Sequence, residues 1–336
     1  MIKFLKNSIK KFTLQTPKLL DGIKNKIDLN EPTIIFKSFG NLNKDKTFYV
    51  IKRSPGTGLF SNVTFILNHL RICKKNNFIP IIDMDNFKTI YNENRKIKNT
   101  NNAWEYYFEK LNDYSLDEIY QSQNVFITSD KFFHFFSYDM YLDKELTKIL
   151  QNQITIKKNL FKIFKKISKP FNHQKILGIH FRGTSYKRSP GHPFPATKKQ
   201  MFEITKKILA KEKVDKIFLV TEEKNYLNFF KKKFPDKIIN ITCCYRSDKN
   251  DAFEKYPRNL HRYKLGREAI LETLLLSKCD YFIYLSSNVS SAALSFNLNN
   301  NQKRIEIKNG MNSKNILVSQ FLWYIKSILP KNLGGI

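Results

Sequence analysis

The sequence predicts an α/β protein of two domains, each built on a parallel sheet. Three observations predict it. Between Lys175 and Leu329, short apolar runs rich in β-branched residues alternate with segments of helical spacing. An earlier strand, glycine turn and helix start at Thr47. The 336 residues suffice for two separate cores. Strands that alternate with helices imply parallel pairing through right-handed crossovers.

Residues 1–30 come first as a basic arm. Ile2, Leu5, Ile9 and Phe12 share one helical face, and Lys3, Lys6, Lys10 and Lys11 cover the rest. Such a helix suits an anionic membrane surface or packs on the protein body. The lysines interrupt the apolar positions and no small-residue cleavage site follows, so the segment does not read as a secretory signal.

The first domain, residues 31–170, opens with the strand TFYVIKR. The turn SPGTGLFSN and the helix VTFILNHLRICKK follow, then a second strand, FIPIIDMDN. Gly56 and Gly58 match the start of a dinucleotide fingerprint, but Ser61 stands where its third glycine belongs, and a partial match is a weak signal. The stretch around Trp104 is aromatic and suits either a sugar-stacking surface or core. NVFITSD reads as a strand, and residues 137–169 as one or two long helices.

Pro170–Gln174 mark the boundary to the second domain, residues 171–330. Its strands are KILGI, KIFLVTEE, KIINITCC, Tyr281–Leu285 and QKRIEIKN. Its helices are TKKQMFEITKKILAKE, NYLNFFKKKF, a long one after His261, one after the serine-rich turn, and NILVSQFLWYIKSIL.

Lysine and arginine outnumber acids 59 to 29, a net charge of +30, which suggests an anionic partner. A Lys-, Asn- and Ile-rich composition offers a second explanation. No nucleic-acid-binding motif is visible, so no specific nucleic acid is expected. Cys73, Cys243, Cys244 and Cys279 form no framework and no CxxC pair, and read as reduced, structural and cytosolic.

Chemistry concentrates after two apolar strands. The first runs into His180, Arg182 and Gly183. In open α/β sheets ligands bind beyond the carboxyl ends of strands, and an arginine there, beside a glycine that lets a ligand approach the backbone, suits a diphosphate. The second, Tyr281–Leu285, runs into Ser286, Ser287, Asn288, Val289, Ser290 and Ser291. Hydroxyls and free N–H groups at a helix start make an anion site, and four serines exceed what one N-cap needs.

HFRGTSYKRSPGHPFP resembles the HxR-G-T/D signature of the GDP-fucose-dependent transferases: α-1,2-, α-1,6- and protein O-fucosyltransferases and a bacterial nodulation enzyme. Tyr263–Ser277 and Asp280–Ala293 match as well, so the likeness covers the second half well and the first loosely. Where the family often carries Asp this chain has Ser185, which leaves no carboxylate there. The resemblance implies a GT-B-like architecture of two Rossmann-like domains facing a cleft. It implies an inverting, metal-independent glycosyltransferase of polysaccharide biosynthesis, with a GDP-sugar as donor substrate and no cofactor. It places the serine turn on the GDP phosphates, with Arg182, Lys187 and Gly183 near them. It turns Gly56, Gly58, Phe60, Ser61 and Asn62 toward the donor, sets Glu222 on the guanine, and sets Glu268 on a ribose or on Arg182.

The acceptor is expected to be a glycan or lipid-linked glycan, met by His192 and Trp104. His180, Asp83 and His192 are candidates for the base that takes the acceptor proton. The expected location is cytoplasmic, peripheral at the inner face of the membrane. Two other readings stay open: a metal-dependent transferase using the Asp83-Met84-Asp85 motif, and a non-catalytic polyanion or RNA binder.

Overall fold

The computed structural model describes residues 34–336, apart from 130, 240, 242, 243, 248 and 250 and the side chains of Thr184, Ser185 and Lys331. The basic arm, residues 1–30, and Cys243 lie outside the described residues.

The first sheet holds β1 (Ile35–Lys37), β2 (Phe48–Ile51), β3 (Ile79–Ile82) and β4 (Val125–Ile127), in the order β1-β4-β2-β3. β2 is fully buried and parallel to both neighbours, Val50 lying opposite Ile81 and Ile127. A strand covered on both faces needs an unbroken apolar run, and FYVI supplies one. The edge strand β1 pairs antiparallel with β4, so this sheet is mixed where an all-parallel one was expected. Helix α1 (Leu59–Asn76) crosses from β2 to β3, starting four residues before the expected VTFILN segment because Gly58 serves as its N-cap. A short helix, α2 (Leu116–Ile119), precedes β4. Two helices, α3 (Lys144–Gln153) and α4 (Lys158–Ile167), lead to the second domain.

The second sheet is all parallel: β5 (Ile176–His180), β6 (Lys216–Val220), β7 (Ile238–Ile239), β8 (Tyr281–Tyr284) and β9 (Lys303–Glu306), in the order β7-β6-β5-β8-β9. Helices α5 (Lys198–Lys211), α6 (Lys224–Lys233), α7 (His261–Lys278) and α8 (Asn288–Phe296) connect the strands, and α9 (Ile316–Ile328) follows β9. The strand order reverses direction between β5 and β8. A crevice opens at such a switch point, beyond the carboxyl ends of the two strands.

The largest apolar cluster belongs to both domains. It joins Phe65 and Leu67 of α1, Leu146 of α3, Leu271 and Leu275 of α7, and Ala292 of α8. The Tyr107 and Tyr263 rings stack across the seam at 5.7 Å, and the Tyr107 hydroxyl donates to the Tyr263 carbonyl at 3.1 Å. The Glu93 carboxylate accepts from the Tyr263 N–H at 2.9 Å, so a first-domain side chain caps the start of α7.

Candidate active site

His180 ends β5, and Arg182 follows two residues later, on the same side of the extended chain. The Glu222 carboxylate, just past the adjacent β6, lies 3.6 Å from the Arg182 guanidinium and is 49% exposed. The Tyr186 ring faces that guanidinium at 4.0 Å. Arg182 Nε is buried and has no hydrogen-bond partner among the described residues. A cation with one long ionic contact and an unused buried N–H suits an added anion.

Across the switch point, Ser287 caps α8 by accepting from the Ser290 N–H, and its hydroxyl lies 3.5 Å from His180 Nδ1. Ser286 is exposed, and Ser287 and Asn288 are half-buried. The serine turn and the arginine loop thus occupy neighbouring strand ends. The other serines serve the scaffold. Ser290 is buried and donates to the Leu285 carbonyl at 2.6 Å. Ser291 donates to Asp139 of the first domain and accepts from the Tyr141 N–H. Asn288 accepts from Thr64 at 3.3 Å, tying the turn to α1. The excess of serines over capping needs is spent partly on the seam between the domains.

His180 is 5% exposed, and burial, then the charge of Arg182, push its imidazole down to about 4. His192 is exposed, its ring 4.8 Å from the Tyr186 ring, and desolvation and then Arg182 lower its pKa as well. Tyr91, a first-domain residue, is buried with its hydroxyl accepting from the Leu59 N–H at 3.0 Å. Its pKa is pushed up to about 12, chiefly by burial, and it feels the charges of Glu222 and Arg182. Tyr91 therefore brings the first domain to the site. Sequence reading missed it, because a lone tyrosine in a polar stretch carries no local signal.

Several expected contacts are corrected. Gly183 does not open the backbone to a ligand: a Cβ there would lie 2.0 Å from the Glu223 carboxylate, so the glycine admits a protein side chain. Lys187 is paired with Glu223 at 2.8 Å and lies over the Tyr226 and Trp323 rings, so its charge is already engaged by the protein. Glu268 is buried and holds Arg258 by two bonds, at 2.6 and 2.8 Å, while accepting from the Tyr245 N–H. It pins the loop before α7 and does not orient Arg182. One helical turn on, the buried Glu272 holds Arg246 of the same loop.

The first-domain turn is also closed on itself. Phe60 is buried against Phe296. Ser61 bonds Ser54, and Asn62 accepts from the Ser54 N–H while donating to the Gly58 carbonyl. A Cβ on Gly56 would meet the Ser61 hydroxyl at 2.2 Å, whereas Gly58 has open space beside it. Trp104 is buried, stacked on Phe108 at 4.3 Å with its indole N–H donating to the Glu109 carbonyl; it is core and offers no sugar platform.

Asp83 is fully buried at the end of β3. It accepts from the Asp85 and Asn86 N–H groups, the Asn86 amide and the Tyr120 hydroxyl. Four donors occupy its carboxylate oxygens and leave little capacity for a substrate hydroxyl or a cation. Among the described residues, no group of three or more His, Cys, Asp and Glu is placed to hold a metal ion.

No protein-family model and no curated protein sequence matches the chain. Solved structures do. The NodZ alpha-1,6-fucosyltransferase co-crystallized with GDP matches with a TM-score of 0.50 at 14% identity, over 74% of this chain and 92% of that one. The NodZ fucosyltransferase from Bradyrhizobium matches with a TM-score of 0.50 at 14% identity, over 74% and 91%. Arabidopsis thaliana FUT1 in complex with GDP matches at a TM-score of 0.42 and 13% identity, over 76% and 70%. The chain therefore has the GT-B-like α/β fold, two Rossmann-like domains enclosing a cleft, that the NodZ fucosyltransferase also has.

Proposed function

We propose that this chain is a glycosyltransferase that moves a sugar, fucose or a close relative, from a GDP-sugar to a hydroxyl of a glycan or lipid-linked glycan. The observation that carries the reading is Arg182 at the switch point, with an unused buried N–H, while the capped start of α8 stands at the neighbouring strand end. The shared fold of a fucosyltransferase co-crystallized with GDP supports the choice of donor.

In this reading the diphosphate takes the place of Glu222 beside Arg182, with the hydroxyls of Ser286 and Ser287 and the N-terminus of α8 on its other side. The acceptor oxygen attacks the anomeric carbon from the opposite face, inverting it, as the bond to the β-phosphate oxygen breaks. Negative charge builds on the departing diphosphate, and Arg182 stabilises it as it grows. His192 is the base in this reading: it is exposed and near Arg182, and desolvation and then the charge of Arg182 favour its neutral form. His180, buried and with a pKa of about 4, instead supports the donor side through Ser287. The charge work falls on Arg182 and the helix start, so the reaction needs no metal.

The test is thermal stability in the presence of GDP, UDP, CMP or ADP, followed by donor turnover with and without EDTA. GDP is expected to raise the melting temperature most, and turnover to survive EDTA. Equal shifts with UDP, or activity restored only by Mn²⁺, would overturn the donor or the metal-free mechanism respectively.

A further inference from the structure

Helix α9 is amphipathic the wrong way round for a helix on a water-facing surface. Its polar Ser319 is buried, together with Trp323, against the body of the domain. Its apolar residues point out: Leu317 is 76% exposed, Phe321 67% and Ile328 82%, with Ile316, Tyr324 and Ile325 also exposed. A surface helix normally buries its apolar stripe, and an exposed patch of aliphatic and aromatic side chains marks an interaction site. The charge along this stretch of the chain has one sign. The last acidic side chain of the sequence is Glu306, and residues 307–336 carry Lys308, Lys314, Lys326 and Lys331. Arg188 lies over the Tyr324 ring at 5.5 Å, and Lys314 is exposed just before the helix.

We propose that α9 docks this protein on an anionic lipid bilayer, its outward face inserted at the interface and the flanking lysines and Arg188 on the headgroups. Charge complementarity selects the occupant. A second copy would bring together two chains that each carry +30, and residues 1–33, with seven lysines against three acids, are also basic. An anionic bilayer supplies both the apolar phase and the opposite charge. No described helix is long and apolar enough to cross a membrane, so α9 lies on the surface.

The placement matters for the site. Ser319 donates to the Arg188 carbonyl at 3.1 Å, and the Trp323 indole donates to the Pro195 carbonyl at 2.8 Å. The Gly191 N–H donates to the Ser313 carbonyl, and the Asn312 N–H to the His192 carbonyl. The loop that carries His192 is fastened to the helix and its approach, so docking α9 holds that loop at the lipid surface. This inference does not depend on the donor reading, because its readout is binding without substrate.

The test is flotation of the full chain with vesicles of phosphatidylcholine alone and with about a third phosphatidylglycerol. Binding to the anionic vesicles is expected to weaken with salt. The double variant Phe321→Ser, Ile325→Ser should weaken it at least about tenfold, and Lys314→Glu a few fold, with melting temperatures held. Equal binding by the double variant and the parent would overturn the proposal in favour of charge alone or the basic arm. A concentration-dependent dimer in sedimentation that the double variant abolishes would overturn it in favour of a self-interface.

Discussion

Arg182 and Arg258 sit in one domain, both about a quarter exposed and both facing a glutamate, yet they are built for different tasks. Arg258 meets Glu268 fork to fork at 2.6 and 2.8 Å, and its Nε donates to His261. Its partner is buried and both of its carboxylate oxygens are taken, so the pair has no bond left to exchange. Arg182 meets Glu222 at 3.6 Å, and the carboxylate stays half exposed while the Arg182 Nε has no partner. The first pair is a structural clamp. The second holds a cation ready and can exchange one anion for another at little cost. Partner satisfaction, more than burial or ion pairing as such, separates the two roles.

The sharpest way to break this contrast is Arg182→Ala. Turnover should fall about a hundred- to a thousandfold, more than GDP affinity falls, with the melting temperature nearly unchanged. Arg182→Lys should recover part of the loss, because an ammonium cannot make the two-pronged contact. A folded Arg182→Ala protein with full turnover would remove Arg182 from the mechanism. Arg258→Ala should do the reverse. It leaves the buried Glu268 with only the long ionic contact to Arg267 at 4.0 Å and should lower stability by about 3 kcal/mol in urea denaturation, and the folded fraction should keep its GDP affinity.

His180 sharpens the comparison through pH. Its folded pKa of about 4 lies below the ordinary 6.5, so the unfolded chain binds the proton more readily. Its contribution is fully present above about pH 6.5 and is lost as pH falls toward 4, by up to about 3 kcal/mol. His69, caged by Phe65 and Phe136 and pushed down to about 3 by burial, acts in the same direction. Urea midpoints between pH 7 and pH 4.5 should therefore drop less for His180→Asn than for the parent. An identical drop would place His180 in contact with water. The smallest effect is expected from Glu222→Gln. If Glu222 is the counter-ion that the diphosphate displaces, GDP and UDP should both bind a few fold more tightly, in keeping with the weak energy of an exposed pair. Weaker binding of GDP alone would make Glu222 a reader of guanine.

The elements that could be read from the sequence were those whose signal is local. β2, β5 and β8 are continuous apolar runs because both sheet faces are covered, and the turns after β5 and β8 announce themselves by an abrupt change to charge and hydroxyls. β1 could not be read. It is a three-residue edge strand with one face toward water, too short for a period and antiparallel through a long-range pairing. The site divides in the same way. Arg182 and Ser287 were legible from their place at strand ends. The partners of Glu268, Ser291 and Asn62 were not: Asp139 lies 152 residues from Ser291, and the irregular loops that bring Arg258 to Glu268 and the Ser54 N–H to Asn62 have no periodicity to read. Trp104 illustrates the limit from the other side: an aromatic cluster has the same composition whether it stacks on a sugar or on Phe108.

The apolar cluster shared by both domains bears on how the chain is made. The first sheet and α1 emerge from the ribosome well before α7 and α8, which finish the cluster that contains Phe65 and Leu67. Until residues 261–296 follow, Phe60 lacks Phe296 and Tyr107 lacks Tyr263, so the cluster has only part of its native cover. A nascent first half is therefore a partly packed intermediate with exposed apolar surface, the kind of species that chaperones shield. Synthesis of the second domain completes the first, and the two form a single structural unit despite their separate sheets.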